Sequence, residues 1–218
     1  MTEEEINKNF KIYNNAIILL KKRKYEITTP IYDLETFSKK NRSSLLITGT
    51  KEINDNIVIF FYDPIGEEKF GVKSVRFYYT KIAEMNSAKE KTDTKEPWSL
   101  TKAIIVCKEE ITPFANNKII EYSKLESNPI DMEIFLDNFL MFDITTHSLQ
   151  PKFEKLSEDE KQKLLDTYKI KENNLAKILT TDPIVKYYGF KKGNVIKITC
   201  LSETAGTYTK YRVVKQSE

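Results

Sequence analysis

The fold is most constrained by a dense series of helix and turn signals close to the C-terminus. Asp182 followed by Pro183 is typical of a helix start: the aspartate side chain can accept from the first turn, and proline lacks only an N–H that this position does not use. Gly189 can adopt the left-handed conformation that ends such a helix. A turn at 191–193 and a glycine-containing connection at 202–207 follow, so the pattern predicts a short helix and then a hairpin.

Two apolar runs flank that connection, at 195–198 and 208–214, and they are the predicted strands of the hairpin. Upstream, Ser157 and Glu160 have the spacing of a capping box at the start of another helix. That helix contains Leu164, Leu165 and Tyr168. The segment 151–157 is interpreted as a short linker before this C-terminal module.

The first 146 residues have a different pattern, in which apolar strands alternate with amphipathic helices. The predicted strands are 44–48, 56–62 and 103–107, and the predicted helices are 6–20, 72–85 and 112–122. A second helix is expected to start at Thr29–Pro30. Its inward residues would be Ile31, Leu34 and Phe37. Residues 86–97 are expected to form a loop, and 133–145 fit either a strand or a helix. This alternation predicts an α/β domain over 1–146, followed by a small α+β domain over 147–218.

Charge separates the two halves and limits what they can bind. Residues 1–146 carry 21 Lys and Arg against 23 Asp and Glu, a balance of −2, and residues 147–218 carry 14 against 9, a balance of +5. A dedicated nucleic-acid-binding domain has a clear excess of basic residues, so any DNA contact is expected to be weak. No apolar run is long enough to span a membrane, and the acidic start at Glu3–Glu5 is unlike a secretory signal, so an intracellular protein without a membrane contact is expected.

Metal and cofactor chemistry finds little support in the sequence. One histidine and two cysteines argue against a zinc site. Cys107 and Cys200 lie far apart in apolar stretches and are interpreted as buried free thiols. None of the six glycines falls in a phosphate-binding motif, so no nucleotide or other cofactor is expected.

One enzymatic alternative is a metal-dependent nuclease, in which a carboxylate on one strand and an acidic-x-Lys sequence on the next hold Mg²⁺ and assist the attacking water. Asp55 and the run Glu67, Glu68 and Lys69 have roughly that arrangement. Asp55, however, precedes its predicted strand, and the run falls in a predicted loop, where solvated charges are common. A free-standing DNA-binding or nuclease-like protein is therefore kept as the alternative function.

The C-terminal segment DPIVKYYGFKKGNVIKI, followed by SETAGTYTKYR, resembles the assembly domain of the fifth subunit of eukaryotic-type DNA-directed RNA polymerases, a family that also has archaeal members. His147 and Pro151 stand where that family begins the domain. Upstream, four segments follow the family's order: FKIYNNAIILLKKRKYEIT, FGVKSVRFYYTKIAEMN, KAIIVCKEEITPFA and FDITTHSLQP. The resemblance covers nearly the whole chain. It implies a non-catalytic role in transcription and an N-terminal jaw domain with a restriction-nuclease-like fold but no active site.

The resemblance also implies a hetero-oligomer, in which the C-terminal domain docks on the largest polymerase subunit near the sixth subunit. The residues that it places at this interface are His147, Tyr187, Tyr188, Gly189, Ser202, Glu203, Thr204, Gly206 and Arg212. One of the two adjacent tyrosines is expected to lie in the core and the other at the surface. The histidine is expected to be hydrogen-bonded at the domain junction. The arginine, one of four in the chain, indicates a need for a planar, bidentate donor.

The jaw domain is implied to line the downstream DNA cleft and to touch duplex DNA weakly. Thr112 and Pro113 match the family's turn nearest to the DNA, but Phe114 replaces its serine, which removes one hydroxyl group. Three further departures lie beside the SETAG turn, namely Cys200, Leu201 and Thr207. These departures, with the lysine- and isoleucine-rich composition of an AT-biased genome, favour a large DNA virus as the source. The expected location is then the host cytoplasm and the virion, and otherwise the nucleus.

Overall fold

The chain forms two compact units, Met1–Phe142 and Asp143–Glu218. The computed structural model describes residues 2–51, 55–64, 69–90, 99–125, 129–204 and 206–216. The predicted domain division after residue 146 falls a few residues beyond the division between the two units. Each unit has its own mixed sheet and its own core.

The N-terminal unit is an α/β structure built on one sheet with the strand order β1-β2-β3-β4-β5. Its strands are β1 Glu26–Ile27, β2 Leu46–Thr50, β3 Asn56–Phe61, β4 Leu100–Cys107 and β5 Asp131–Leu136. β1 pairs with β2, and β2 with β3, in antiparallel orientation. β3 pairs with β4, and β4 with β5, in parallel orientation. The helices are α1 Glu3–Lys22, α2 Leu34–Ser38, α3 Val72–Glu90, α4 Pro113–Ser123 and α5 Asp137–Leu140, with a 3₁₀ turn at Arg42–Ser44.

β3 occupies the middle of this sheet and is buried along its whole length, as its continuous apolar run predicts. On one face, the ring of Phe60 lies 5.0 Å from that of Tyr78 of α3. On the other face, the ring of Phe61 lies 6.0 Å from that of Tyr13 of α1. The sheet is therefore covered by helices on both faces, and this confirms the predicted α/β class of the unit.

Two predictions for this unit were wrong at the level of element boundaries. The second helix begins at Leu34 and not at Thr29–Pro30, because the backbone of Thr28 still pairs with Thr48 of β2. Phe37 is buried, but Ile31 and Leu34 are more than two-fifths exposed. The predicted loop 86–97 is helical up to residue 90, and 91–97 lie outside the described residues.

Asn86 lies in α3, although the polar sequence around it favours a loop. It is a polar residue in a polar stretch, yet it is buried. Its side-chain oxygen accepts from the N–H of Leu100 at 2.7 Å, and its amide nitrogen donates to the carbonyl of the same residue at 3.3 Å. A buried amide with both groups paired ties α3 to the start of β4.

The C-terminal unit is a mixed sheet with the strand order β6-β8-β9-β7. Its strands are β6 Lys152–Lys155, β7 Ala176–Leu179, β8 Val195–Ser202 and β9 Gly206–Lys215, and its helices are α6 Glu158–Tyr168 and α7 Pro183–Tyr188, with a 3₁₀ turn at Glu172–Asn174. β6 overturns the interpretation of 151–157 as a linker. It pairs antiparallel with β8, and Phe153 packs against the core of the unit, which accounts for strand formation in an otherwise charged tetrapeptide.

Local signals in this unit are confirmed where they depend on backbone chemistry. Ser157 and Glu160 form the capping box of α6. Asp182 accepts from the N–H of Ile184 at 2.9 Å, and Gly189 ends α7 at φ 67°. In α6, Leu164 is buried, whereas Tyr168 is 61% exposed.

A fragment comprising residues 143–218 is expected to fold alone, because its helix caps, hairpin and core contacts lie within the fragment. Starting at Asp143 keeps the carboxylate that acts on the buried Tyr187. A two-dimensional ¹H–¹⁵N spectrum should show amide shifts as dispersed as those of the same residues in the full chain. Shifts bunched in the random-coil range would show that the unit is not autonomous.

Candidate protein-interaction site

The C-terminal hairpin extends beyond the strands on either side of it. β8 and β9 pair continuously from Val195 opposite Val213 to Ser202 opposite Gly206. The pairing of β6 with β8 stops at Thr199, and the pairing of β7 with β9 begins at Arg212. Among the described residues, the end of the hairpin is therefore a two-stranded ribbon with no strand beside it.

Two large side chains in this part of the hairpin face solvent. Leu201 is 79% exposed and Tyr208 is 41% exposed. They lie on opposite faces, since Leu201 pairs with Thr207 and Tyr208 pairs with Cys200. Sequence reasoning noted Leu201 only as a departure from its family and did not single out Tyr208. Strand alternation in the sequence places these two residues on opposite faces of the hairpin. Their exposure follows from the ends of β6 and β7, which do not extend alongside them.

The structure brings four of the predicted interface residues together at the tip of the hairpin. Ser202 and Gly206 pair across the two strands, and Glu203 and Thr204 are exposed in the turn between them. The hydroxyl oxygens of Ser202 and Thr204 are 3.3 Å apart. Gly206 has φ 70°, a conformation that favours glycine, so the turn needs this residue whatever it binds.

Arg212 lies where the ribbon meets the rest of the sheet. Its guanidinium Nη1 donates to the backbone carbonyl of Lys177 in β7 at 3.3 Å, and the side chain is half-buried. The residue therefore ties two strands of its own unit together. The guanidinium group of Arg212 thus has one acceptor within the chain, the carbonyl of Lys177. Its role as a planar, bidentate donor toward a partner stays a prediction.

The two adjacent tyrosines of α7 have different environments, as expected. Tyr187 is 1% exposed and is a core residue of the free chain, so its place at an interface stays a prediction. Burial, reinforced by the Asp143 carboxylate, raises the pKa of its hydroxyl. Tyr188 is half-buried, and its ring stacks on that of Phe190 at 5.2 Å. Gly189, which follows Tyr188, is the C-cap residue of α7.

The predicted residues outside the hairpin are placed as follows. His147 is exposed, and its Nδ1 accepts from the N–H of Leu149 at 3.2 Å, which closes a local turn. Thr112 caps α4 by accepting from the N–H of Ala115 at 3.3 Å, with Pro113 at the first helical position. Phe114 beside them is 77% exposed. The hydroxyl of Thr112 is thus already engaged within the chain.

Asp55, the first residue of the nuclease alternative, is paired with a lysine. Its Oδ1 accepts from Lys102 Nζ at 2.7 Å and from the hydroxyl of Tyr25 at 2.9 Å. Glu67 and Glu68 lie outside the described residues, and in the described part of the chain no cluster of three or more His, Cys, Asp or Glu could hold a metal ion. Cys107 is buried, and burial raises the pKa of its thiol to about 12, whereas Cys200 is half-buried.

The ion pair at Asp55 is expected to make stability depend on pH. Burial alone would raise the pKa of this carboxyl, but hydrogen bonds from Lys102 and Tyr25 outweigh it and lower the pKa below 3.8. The stabilisation is therefore complete above pH 3.8 and is lost as pH falls through the lower folded-state pKa.

Asp55→Asn should accordingly lower the free energy of unfolding by about 1 kcal/mol near neutral pH, a modest loss because the pair is partly exposed. The difference from the parent should shrink as the pH falls below the ordinary aspartate pKa. Urea denaturation at a series of pH values measures it, with Asp33→Asn as the control. A difference that is constant with pH would contradict the assignment.

Sequence comparisons relate this chain to subunits of RNA polymerases. A family model described as the C-terminal domain of RNA polymerase Rpb5 matches residues 142–214. The "DNA-directed RNA polymerases I, II, and III subunit rpabc1" of Dictyostelium discoideum is 34% identical over 212 residues, which cover 96% of this chain and 98% of that protein. The RPABC1 subunit of Caenorhabditis elegans is 32% identical over 184 residues, 84% of this chain and 78% of that protein.

A third relative, the "DNA-directed RNA polymerase subunit 5-like protein 1" of Arabidopsis thaliana, is 29% identical over 220 residues, 96% of this chain and 97% of that protein. The chain belongs to the Rpb5 family, the fifth subunit of eukaryotic-type RNA polymerases. Among the described residues, no helix has the length and apolar character that a membrane crossing requires.

Proposed function

We propose that this protein is a non-catalytic subunit of a multisubunit DNA-dependent RNA polymerase and that it docks on the largest subunit through its C-terminal unit. The observation that carries the proposal is similarity along 96% of the chain to a subunit shared by RNA polymerases I, II and III. Because both units are covered, the architecture of the whole subunit is shared and not only one module. The sixth subunit is proposed as a neighbour in the assembly, and a nuclear location follows for a polymerase of this type.

The docking face is proposed to be the hairpin together with Tyr188. The hairpin exposes a leucine and a tyrosine beyond the body of the sheet, and tyrosine is one of the residues that most often anchor an interface. Residues 195–215 carry four basic side chains and one acidic side chain. This surface therefore suits a partner with a negatively charged, partly apolar face.

Affinity purification from the native host tests the subunit assignment. A C-terminally tagged full-length chain should retain the two largest polymerase subunits, identified by mass spectrometry, whereas the tag alone should not. Recovery of the monomeric chain without any polymerase subunit, under conditions in which the polymerase itself stays assembled, would overturn the proposal.

The N-terminal unit is proposed to line the downstream DNA cleft, near Thr112 and Pro113, with few phosphate contacts. Its net charge is negative and Thr112 is engaged in a helix cap, so the isolated protein should bind duplex DNA in the non-specific range, roughly 10⁻⁴ to 10⁻⁶ M at physiological salt. Fluorescence anisotropy with a labelled duplex, measured across a salt series, should give a shallow slope. Submicromolar binding in that buffer would instead indicate a dedicated DNA-binding surface.

A further inference from the structure

One edge of the C-terminal sheet is open over half the length of a strand. β9 is ten residues long, but β7 pairs only with its last four residues, Arg212 to Lys215. On that side of β9, the described residues provide no strand beside Gly206 to Lys210. The open segment runs in line with β7, so a further strand placed there would continue an existing edge of the sheet.

The direction of the backbone groups along β9 follows from two hydrogen bonds. Val214 donates to the carbonyl of Asn194 at 2.9 Å, on the β8 side. Lys215 accepts from the N–H of Thr180 at 2.9 Å, on the β7 side. Because backbone groups of successive residues point to alternate sides of a strand, even-numbered residues of β9 face β8 and odd-numbered residues face the other edge.

Thr207 and Thr209 therefore present two N–H donors and two C=O acceptors to the open edge. Unpaired groups of this kind are a ready template for the addition of a strand from another chain. Tyr208 and Lys210, between and beside them, make their backbone bonds to β8. A strand of five residues placed there would pair over a length similar to the four-residue ladders that β6 and β7 already make.

The outer edges of β6 and β7 are blunted, and the open stretch of β8 beyond Thr199 is only three residues long, Cys200 to Ser202. β6 has four residues, and Lys152 and Lys155 stand at its ends. On β7, the outward carbonyl of Lys177 already accepts from Arg212. Charged edge residues and occupied carbonyls are devices that prevent edge pairing. By contrast, the open segment reads Gly-Thr-Tyr-Thr-Lys: it has one charged residue, Lys210 at its end, and β-branched and aromatic residues that favour strand pairing.

We infer that an extended, net negatively charged segment of the largest polymerase subunit adds to the sheet as a strand along Gly206–Lys210 of β9. The inference rests on the proposed function and specifies how the contact is made. The four basic side chains of residues 195–215 favour an acidic occupant. The same charges disfavour a second copy of this chain, because edge-to-edge pairing would bring two basic ribbons together.

Amide hydrogen exchange gives the sharpest test, because strand addition predicts an alternating pattern. In the free full-length chain, the amides of Thr207 and Thr209 should exchange fast, and those of Tyr208 and Lys210 should be protected. In the complex with the co-expressed largest subunit, the two threonine amides should slow by about tenfold or more, while the two inward amides change little. Mass spectrometry with single-residue fragmentation resolves the four positions.

A backbone variant provides an independent measurement. Thr209→Pro removes an outward N–H without removing any hydrogen bond to β8, a position that proline tolerates in an edge strand. It should weaken association with the largest subunit by about tenfold or more while the free chain keeps its melting temperature within a few degrees. Thr209→Ala is the matched control, since it alters the side chain and keeps the N–H, and it should associate almost as well as the parent.

The outcomes separate this inference from the proposed function. If the complex forms but Thr207 and Thr209 exchange as fast as before, the hairpin binds by its faces and strand addition is wrong, although the subunit assignment stands. If no complex forms with the parent chain, the proposed function fails. If the threonine amides slow in the free chain as its concentration rises, the occupant is a second copy, and the inference is overturned.

Discussion

Replacing Arg42 by methionine is expected to destabilise the N-terminal unit by about 3–5 kcal/mol, because it leaves a buried carboxylate without its counter-ion. The guanidinium and the carboxylate of Asp137 are 2% and 5% exposed. Arg42 Nη1 donates to Asp137 Oδ2 at 2.9 Å, and Nη2 donates to the other carboxylate oxygen.

The same arginine joins three separate parts of the unit. Its Nε donates to the carbonyl of Tyr62 at 3.0 Å, just beyond β3, and its Nη1 donates to Asn9 Oδ1 of α1 at 2.7 Å. Substitution therefore leaves the carbonyl of Tyr62 without this donor, in addition to the carboxylate of Asp137. Unmet buried polar groups cost more than the bonds themselves contribute, which is why the expected loss is large.

Urea denaturation of the full chain, followed by far-ultraviolet circular dichroism, measures the effect. Lys108→Met is the matched control: its pair with Asp63 has a similar length, 2.8 Å, but the side chains are 46% and 38% exposed. The control should cost less than about 1 kcal/mol. The double change Arg42→Met with Asp137→Leu should recover part of the loss. Equal losses for the two single changes would contradict the prediction.

The parts of the fold that could be predicted are those governed by neighbouring residues. The capping box of Ser157, the Asp182–Pro183 helix start and the end of α7 at Gly189 depend on side chains within a few positions, so their chemistry can be recognised in the sequence. β3 was predictable for a similar reason, because a run that is apolar at every position fits a strand covered on both faces.

The errors arose where a distant part of the chain decides the local structure. Residues 152–155 form a strand because β8 lies beside them, some forty positions later. Asn86 stays in a helix because Leu100 satisfies its amide. The same limit applied to the candidate site. The pairing of Asp55 with Lys102 joins the residue before β3 to β4, and it gives the carboxylate a partner that the nuclease hypothesis could not anticipate.

At the proposed interface, sequence resemblance could name a segment but could not say which of its residues are buried in the free chain. Tyr187 and Tyr188 have the same side chain and adjacent positions, and only the direction of α7 makes one buried and the other accessible. The open edge of β9 is a matter of strand lengths. It depends on where β7 begins, which no motif in the hairpin encodes.

The second large effect is expected at Tyr188, the accessible one of these two tyrosines. Tyr188→Ala should reduce incorporation into the polymerase about 30-fold or more, since a tyrosine near the centre of an interface typically contributes about 2 kcal/mol or more. The free chain also loses the contacts of this ring with Phe190 at 5.2 Å and with Tyr187 at 5.5 Å, each worth about 1 kcal/mol, so its melting temperature should fall by roughly ten degrees.

Tyr168→Ala is the matched control, because it removes the same side chain from the same unit at a position that is 61% exposed on α6, a helix that lies against the other face of the sheet. Incorporation is measured by competition: the tagged parent and the untagged variant are co-expressed with the largest subunit, and quantitative mass spectrometry gives the share of each in the complex. Differential scanning fluorimetry measures the stability of the free chains. The parent and Tyr168→Ala should compete equally. If incorporation of Tyr188→Ala falls only as far as its melting curve accounts for, the ring stabilises the fold and is not an anchor. If Tyr168→Ala fails to assemble as well, the docking face includes α6, and the hairpin face alone cannot explain binding.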